Sequence, residues 1–139
     1  MFRVNCEPMT NKALQTQLLE MIFPDQGNHY GTLFGGNALH LLSKAAFISA
    51  SRHARQSVVM AACGDVQFHQ PVKVGQALEL NARVVRSGRS SMTVEVVGMA
   101  ESFATGQRHR AIDGRFEMVA VDAQGRPVAL NPEFLLETP

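Results

Sequence analysis

The sequence predicts an α+β domain in which one long helix lies against an antiparallel sheet. Three observations carry this. One segment after residue 36 repeats its apolar residues at helical spacing. The segments after it alternate apolar and polar residues with a period of two. Glycine or proline turns separate them, with no internal repeat and no linker. The expected order is strand, long loop, helix and four strands over residues 12–130, between a lead-in at 1–11 and a tail at 131–139.

The lead-in mixes polar residues with Pro8 and has no period. Residues 12–22 admit two readings: Leu14, Thr16 and Leu18 alternate as in a strand, whereas Leu14, Leu18 and Met21 share a helical face. The short run and the following Pro24 favour a strand. Residues 24–36 are rich in turn formers, and Gly31, Gly35 and Gly36 permit positive φ or close backbone approach. Asn37 suits a helix N-cap. Leu39, Leu42, Ala45, Ala46 and Ala50 then repeat at helical spacing, and the helix is expected to end near His53–Arg55, where basic groups suit its negative end. Small residues at 45, 46, 49, 50 and 51 allow close contact along one side.

From there the pattern is β. Val58–Cys63 is a short apolar run, Val66 and Phe68 alternate, and Pro71 breaks the strand before a turn at Val72–Gly75. Leu78, Leu80, Ala82, Val84 and Val85 form the next strand, and Ser87-Gly88 reads as a hairpin turn. Met92, Val94 and Val96 alternate with Thr93 and Glu95. After a turn at Gly106, Ile112, Gly114, Phe116, Met118 and Ala120 share one face of a last strand that closes at Asp122–Gly125. A single helix covers one sheet face only partly, and alternating strands leave an edge to protect, so both features argue for self-association.

Composition excludes several function classes. With 13 basic and 12 acidic residues the net charge is +1, so no basic excess marks a nucleic-acid partner. The arginines at 83–89 and 108–115 are interleaved with apolar residues and read as solvated strand faces. Cys6 and Cys63 lack the spacing of a zinc or redox motif, and Cys63, in an apolar run, reads as a buried free thiol. The five histidines are scattered, so no metal site is expected, and no cofactor. No apolar run reaches ~18 residues and no signal core follows the first charges, which predicts a soluble cytoplasmic protein without a membrane partner.

The segment Asn28-His-Tyr-Gly-Thr-Leu-Phe-Gly-Gly36 resembles the Asn-x-x-Gly-x-x-x-Gly-Gly loop of hotdog-fold acyl-CoA thioesterases. Three later segments agree with that family in order and spacing: Asp65 to Pro71 followed by Val74-Gly75; Val84 to Met92; and Val119 to Asp122 with Gly125-Arg126-Pro127. The resemblance spans about residues 12–130. It implies a hotdog fold, one long helix wrapped by a curled antiparallel sheet. It also implies active sites at a dimer interface, homo-oligomers that are dimers or trimers of dimers, and an acyl-CoA substrate.

Hydrolysis of a thioester needs an attacking water, a group to activate it and donors for the oxyanion. Gly35, Gly36 and Asn37 offer backbone N–H groups at a helix start, where the dipole also favours negative charge. The plainer reading of these glycines is a tight turn. Asn28 matches the motif asparagine; its amide could orient water or carbonyl, or cap a turn. Members of the family usually carry Asp or Glu seven residues after the second glycine. Ser43 stands there, and no acidic residue occurs from 26 to 64. Serine needs a neighbouring base. His40 shares its helix face but is expected to pack or face solvent. Asp65 could supply a carboxylate from the next strand or serve structure alone, and His69 is expected to end a strand.

The anionic nucleotide of CoA needs cationic or N–H partners. The resemblance points to the hairpin with Arg86, Gly88, Arg89 and Ser90, with Ser91 beside them. Arg52, Arg55, Arg108 and Arg110 are further candidates. The expected function is hydrolysis of acyl-CoA to free acid and CoA, slowed by the serine at 43. The alternative is a non-catalytic acyl-CoA-binding or regulatory hotdog protein. A hydratase would need a histidine–carboxylate pair, for which His29 or His69 with Asp65 would have to serve.

Overall fold

The alternation at the start of the domain resolves as a strand, β1 (Thr16–Met21), in the computed structural model, which describes residues 15–131. The lead-in at 1–11, Leu14 and the residues from 132 onward lie outside the described residues. A short 3-10 turn (Pro24–Gln26) breaks the loop before the single long helix, α1 (Gly35–Ala54). Four strands follow: β2 (Val58–Phe68), β3 (Ala77–Ser87), β4 (Ser91–Glu101) and β5 (Arg108–Ala120).

All neighbours in the sheet are antiparallel, in the order β1-β3-β4-β5-β2. The strands on either side of α1 in sequence therefore lie at opposite edges of the sheet, so the helix must cross its face. It does so mainly over β3 and β4. The period-two pattern sorts the strands as expected. Met92, Val94 and Val96 of β4, and Ile112, Gly114, Phe116, Met118 and Ala120 of β5, are all buried. They meet Ala38, Leu41, Leu42, Ala45, Ala46, Ser49 and Ala50 of α1, where small side chains let the helix approach the sheet.

Three expectations need correction. Leu39 is 39% exposed while Leu41 is buried, because the buried stripe starts at Ala38 and runs i, i+3, i+4 from there. Asn37 is not the N-cap. The cap is Phe34, with no side-chain hydrogen bond, and Asn37 is the third helical residue. Its side chain turns back, Nδ2 donating to the Gln26 carbonyl at 2.9 Å. Cys63 is exposed, not buried. It lies on β2, an edge strand, and nearly all of Val59–Phe68 is open to solvent within one protomer.

β2 is also irregular. Its register against β5 shifts between Met60 and Ala62 and again between Gly64 and Gln67, and Asp65 sits at φ 52 within the second shift. Such bulges re-aim side chains at a sheet edge. Among the described residues, no helix is long and apolar enough to cross a membrane, and no cluster of His, Cys, Asp or Glu could hold a metal.

Candidate active site

The loop before α1 is held by Asn28. Its Oδ1 accepts from Tyr30 N at 2.9 Å, Thr32 N at 3.2 Å and Thr32 Oγ1 at 3.1 Å. Three donors around one atom identify it as the oxygen, which leaves Nδ2 as the donor of the amide. Lys73 pairs with Thr32 in an isolated bridge, and Leu33 N donates to Val72 O at 2.7 Å, which moors the loop to the segment after β2. Phe34 N donates to Gln26 O at 3.0 Å, and the helical ladder starts with Ala38 N to Phe34 O at 2.9 Å. The N–H groups of Gly35, Gly36 and Asn37 precede that ladder, at the positive end of the helix.

Gly35 borders a cavity of about 320 Å³ together with Thr32, Ala38, Phe68, His69 and Ile112. A Cβ on Gly35 would lie 3.9 Å from the Phe68 ring, so the end of β2 stands beside the helix start. Gly36 is exposed, and a Cβ there would lie 3.0 Å from the ring of Phe34. Asn28 does not itself border the cavity; Thr32, bound to it, does.

His69 does more than end a strand. Its Nε2 lies 2.7 Å from Asp113 Oδ2. Asp113 also accepts from Arg110, at 2.8 Å from Nε and 2.6 Å from Nη2. Partial burial would raise the Asp113 pKa, but the hydrogen bonds from His69 and Arg110 and the Arg110 charge hold it below the ordinary carboxylate value. The carboxylate beside His69 is thus Asp113 on β5, not Asp65.

The other candidate residues lie elsewhere. Ser43 is half-buried two turns along α1, and its hydroxyl donates to the His40 carbonyl at 2.9 Å. The His40 side chain is exposed, as expected, and the two make no Ser–imidazole pair. Asp65 lines a separate groove with Cys63, Arg86, Arg115 and Glu117. Arg86, Gly88, Arg89 and Ser90 belong to the β3–β4 hairpin. There Gly88 N donates to Ser91 O at 2.7 Å, Ala120 N to Ser90 O at 2.8 Å, and Leu130 N to Arg89 O at 2.8 Å. Both arginines are exposed, and Glu117 shares two grooves with Arg86, which opposes an anion there. Arg108 and Arg110 are engaged by Glu79 and Asp113.

The hairpin sits at the far end of α1. Ser87 Oγ lies 3.3 Å from Nε2 of His53, a buried residue whose pKa burial lowers from 6.5. A 20-residue helix is about 30 Å long. Within one protomer, then, Gly35 and Gly36 are not joined to Arg86 and Arg89 in one pocket. Thr32 and Phe68 line the Gly35 cavity unforeseen, and Asp113, which does not border it, is linked to it through His69. The carboxylate meets His69 through the β2–β5 register, Gln67 opposite Asp113, which no local pattern encodes.

A family model described as the thioesterase superfamily matches residues 30–104. A Zymomonas mobilis protein named as an uncharacterized acyl-CoA thioester hydrolase is 38% identical over 128 residues, covering 92% of this chain and 85% of its own. Among solved structures, an apo-hexameric acyl-CoA thioesterase superposes with a TM-score of 0.81 at 36% identity, over 84% of this chain and 74% of that one. An acyl-CoA hydrolase from Staphylococcus aureus, solved with butyryl coenzyme A, coenzyme A and coenzyme A disulfide, gives 0.79 at 31% identity, over 84% and 71%.

Proposed function

Because the chain belongs to the thioesterase superfamily, we propose that it hydrolyses an acyl-CoA to the free acid and CoA at the helix N-terminal cavity. The activity itself is that of a thioester hydrolase, as in its relatives. The observation that carries the location is the start of α1. There the N–H groups of Gly35 and Gly36 precede the helical ladder, and the cavity opens beside Gly35. In the reaction, water attacks the thioester carbon, the carbonyl oxygen gains negative charge, and those N–H groups stabilise it. Asn28 Nδ2 donates to the water or the carbonyl, while its oxygen keeps the loop in place. Exposed Phe34 and Phe68 give the acyl chain an apolar wall.

Ser43 does not replace the carboxylate that the family usually carries. Its proton is engaged by the helix backbone, and a serine hydroxyl is not basic at neutral pH. Asp65 and the arginine hairpin join this site only if a second protomer brings them. We therefore propose a homo-oligomer, a dimer or a trimer of dimers. The open β2 edge with Val59 and Met60 half exposed supports this, as does the hexameric state of a structural relative. In this reading Arg86 and Arg89 hold the CoA phosphates, aided by Gly88 and Ser90.

Thiol release from a panel of acyl-CoAs, with CoA binding measured in parallel, tests the proposal. Turnover supports hydrolysis. Binding without turnover supports the non-catalytic alternative, which the engaged Ser43 hydroxyl favours. Neither turnover nor binding contradicts both.

A further inference from the structure

The family's usual base position holds a serine whose hydroxyl faces its own helix, yet water needs a proton acceptor to attack a thioester efficiently. Of the residues that border the cavity beside Gly35, only His69 has a titratable side chain. Asp65 faces a different groove. His69 is also built in. Its backbone N–H donates to Ala111 O at 2.7 Å, and its ring contacts Asp113 at 2.7 Å. Asp113 has only 16% of its side chain exposed, and the same oxygen, Oδ2, also accepts from Arg110. An ionised carboxylate only accepts hydrogen bonds, so Nε2 must carry the proton that bridges to Asp113. In the neutral imidazole the tautomer is thereby fixed, with the lone pair on Nδ1.

We propose that the His69–Asp113 pair supplies the general base of this thioesterase, in place of the carboxylate missing at position 43. The inference rests on the hydrolase reading above and names a residue for it. His69 Nδ1 takes a proton from water as the water oxygen bonds to the thioester carbon. The carbonyl oxygen becomes the oxyanion held at Gly35 and Gly36. Collapse of that intermediate re-forms the carbonyl and breaks the carbon–sulfur bond. The CoA thiolate leaves and takes the proton from imidazolium, which returns His69 to its neutral form. Asp113 stays ionised throughout, orients the ring and stabilises its positive charge. Asp113 is thus a positioning residue, and His69 is the catalytic one.

The test uses full-length wild type, His69→Gln and Asp113→Asn, with steady-state thiol release on the best acyl-CoA, CoA binding by calorimetry and thermal melting. His69→Asn serves if the Gln variant does not fold. His69→Gln should lower kcat by about 10²–10⁴-fold, the usual range for general-base help, with CoA affinity held within about two-fold. Asp113→Asn should lower kcat while leaving KM near wild type, because it changes the tautomer and not the pocket. A folded His69 variant whose kcat falls less than about ten-fold overturns the proposal while leaving the hydrolase reading intact. So does a loss confined to KM. A wild type that turns over no acyl-CoA overturns the hydrolase reading, and this inference with it.

Discussion

Asn28→Asp separates the two jobs assigned to one side chain. In the native loop Oδ1 accepts three hydrogen bonds, from Tyr30 N, Thr32 N and Thr32 Oγ1. An aspartate keeps an acceptor at that place, and an ionised acceptor binds the same donors more strongly. It removes only the Nδ2 donor. Asn28→Ala removes both. Three net hydrogen bonds at about 1 kcal/mol each set a ceiling of about 3 kcal/mol for the alanine variant, and partial exposure of the loop brings this to about 2 kcal/mol. For a domain of this size that lowers Tm by about 8 °C. The aspartate variant should melt within about 2 °C of wild type yet lose about 10²–10³ in kcat, the cost of removing one oxyanion donor. The assay is thermal melting beside steady-state thiol release. An Asn28→Asp protein with wild-type kcat would show that the amide does not touch the reacting atoms and that Asn28 serves the turn alone.

Ser43→Ala should change kcat less than about two-fold, since its hydroxyl is spent on the His40 carbonyl, whereas Ser43→Asp should raise turnover in thiol-release assays by restoring a carboxylate worth up to about 10²-fold. Replacing Arg86 and Arg89 together by Ala should weaken CoA binding at least about ten-fold, and wild-type affinity should fall with added salt; calorimetry across a salt series checks both. His53 has a lowered pKa in the fold, so the unfolded chain binds its proton first as pH falls. Stability should be fully present above 6.5, the ordinary value, and should decline as pH drops from there through the folded pKa. Denaturant titrations at stepped pH should show this decline, and His53→Gln should flatten it.

What the residues announced and what they hid follow from the range of the interactions. The strand faces were legible because period-two alternation is local: Met92, Val94 and Val96 had to share a side whatever their neighbours. The helix was legible for the same reason, but not its start. Asn37 carries cap chemistry, yet its amide is drawn to the Gln26 carbonyl eleven residues earlier, and Phe34 takes the cap position instead. Leu39 and Leu41 are equally apolar, and only the angle at which α1 crosses the sheet decides which is buried. The exposure of Cys63 depends on β2 being an edge strand, which follows from the strand order and from nothing near residue 63.

The site divides along the same line. That a glycine pair, Gly35-Gly36, leads into α1 was readable from the loop composition, and Asn28 from its motif. The link between His69 and Asp113 was not, because it spans 44 residues and depends on the β2–β5 register with its two shifts. Nor could the sequence reveal that Arg86 and Arg89 lie at the other end of α1 from Gly35, where Ser87 beside them meets His53.

A crystal structure with a non-hydrolysable acyl-CoA thioether ketone, which keeps the carbonyl but cannot release thiol, tests the location of the chemistry most directly. The account predicts the ketone oxygen about 3 Å from the N–H of Gly35 or Gly36, the distance at which such donors stabilise an oxyanion, with the acyl carbonyl carbon beside His69. A carbonyl seated instead in the groove of Cys63, Asp65 and Arg86 would contradict it.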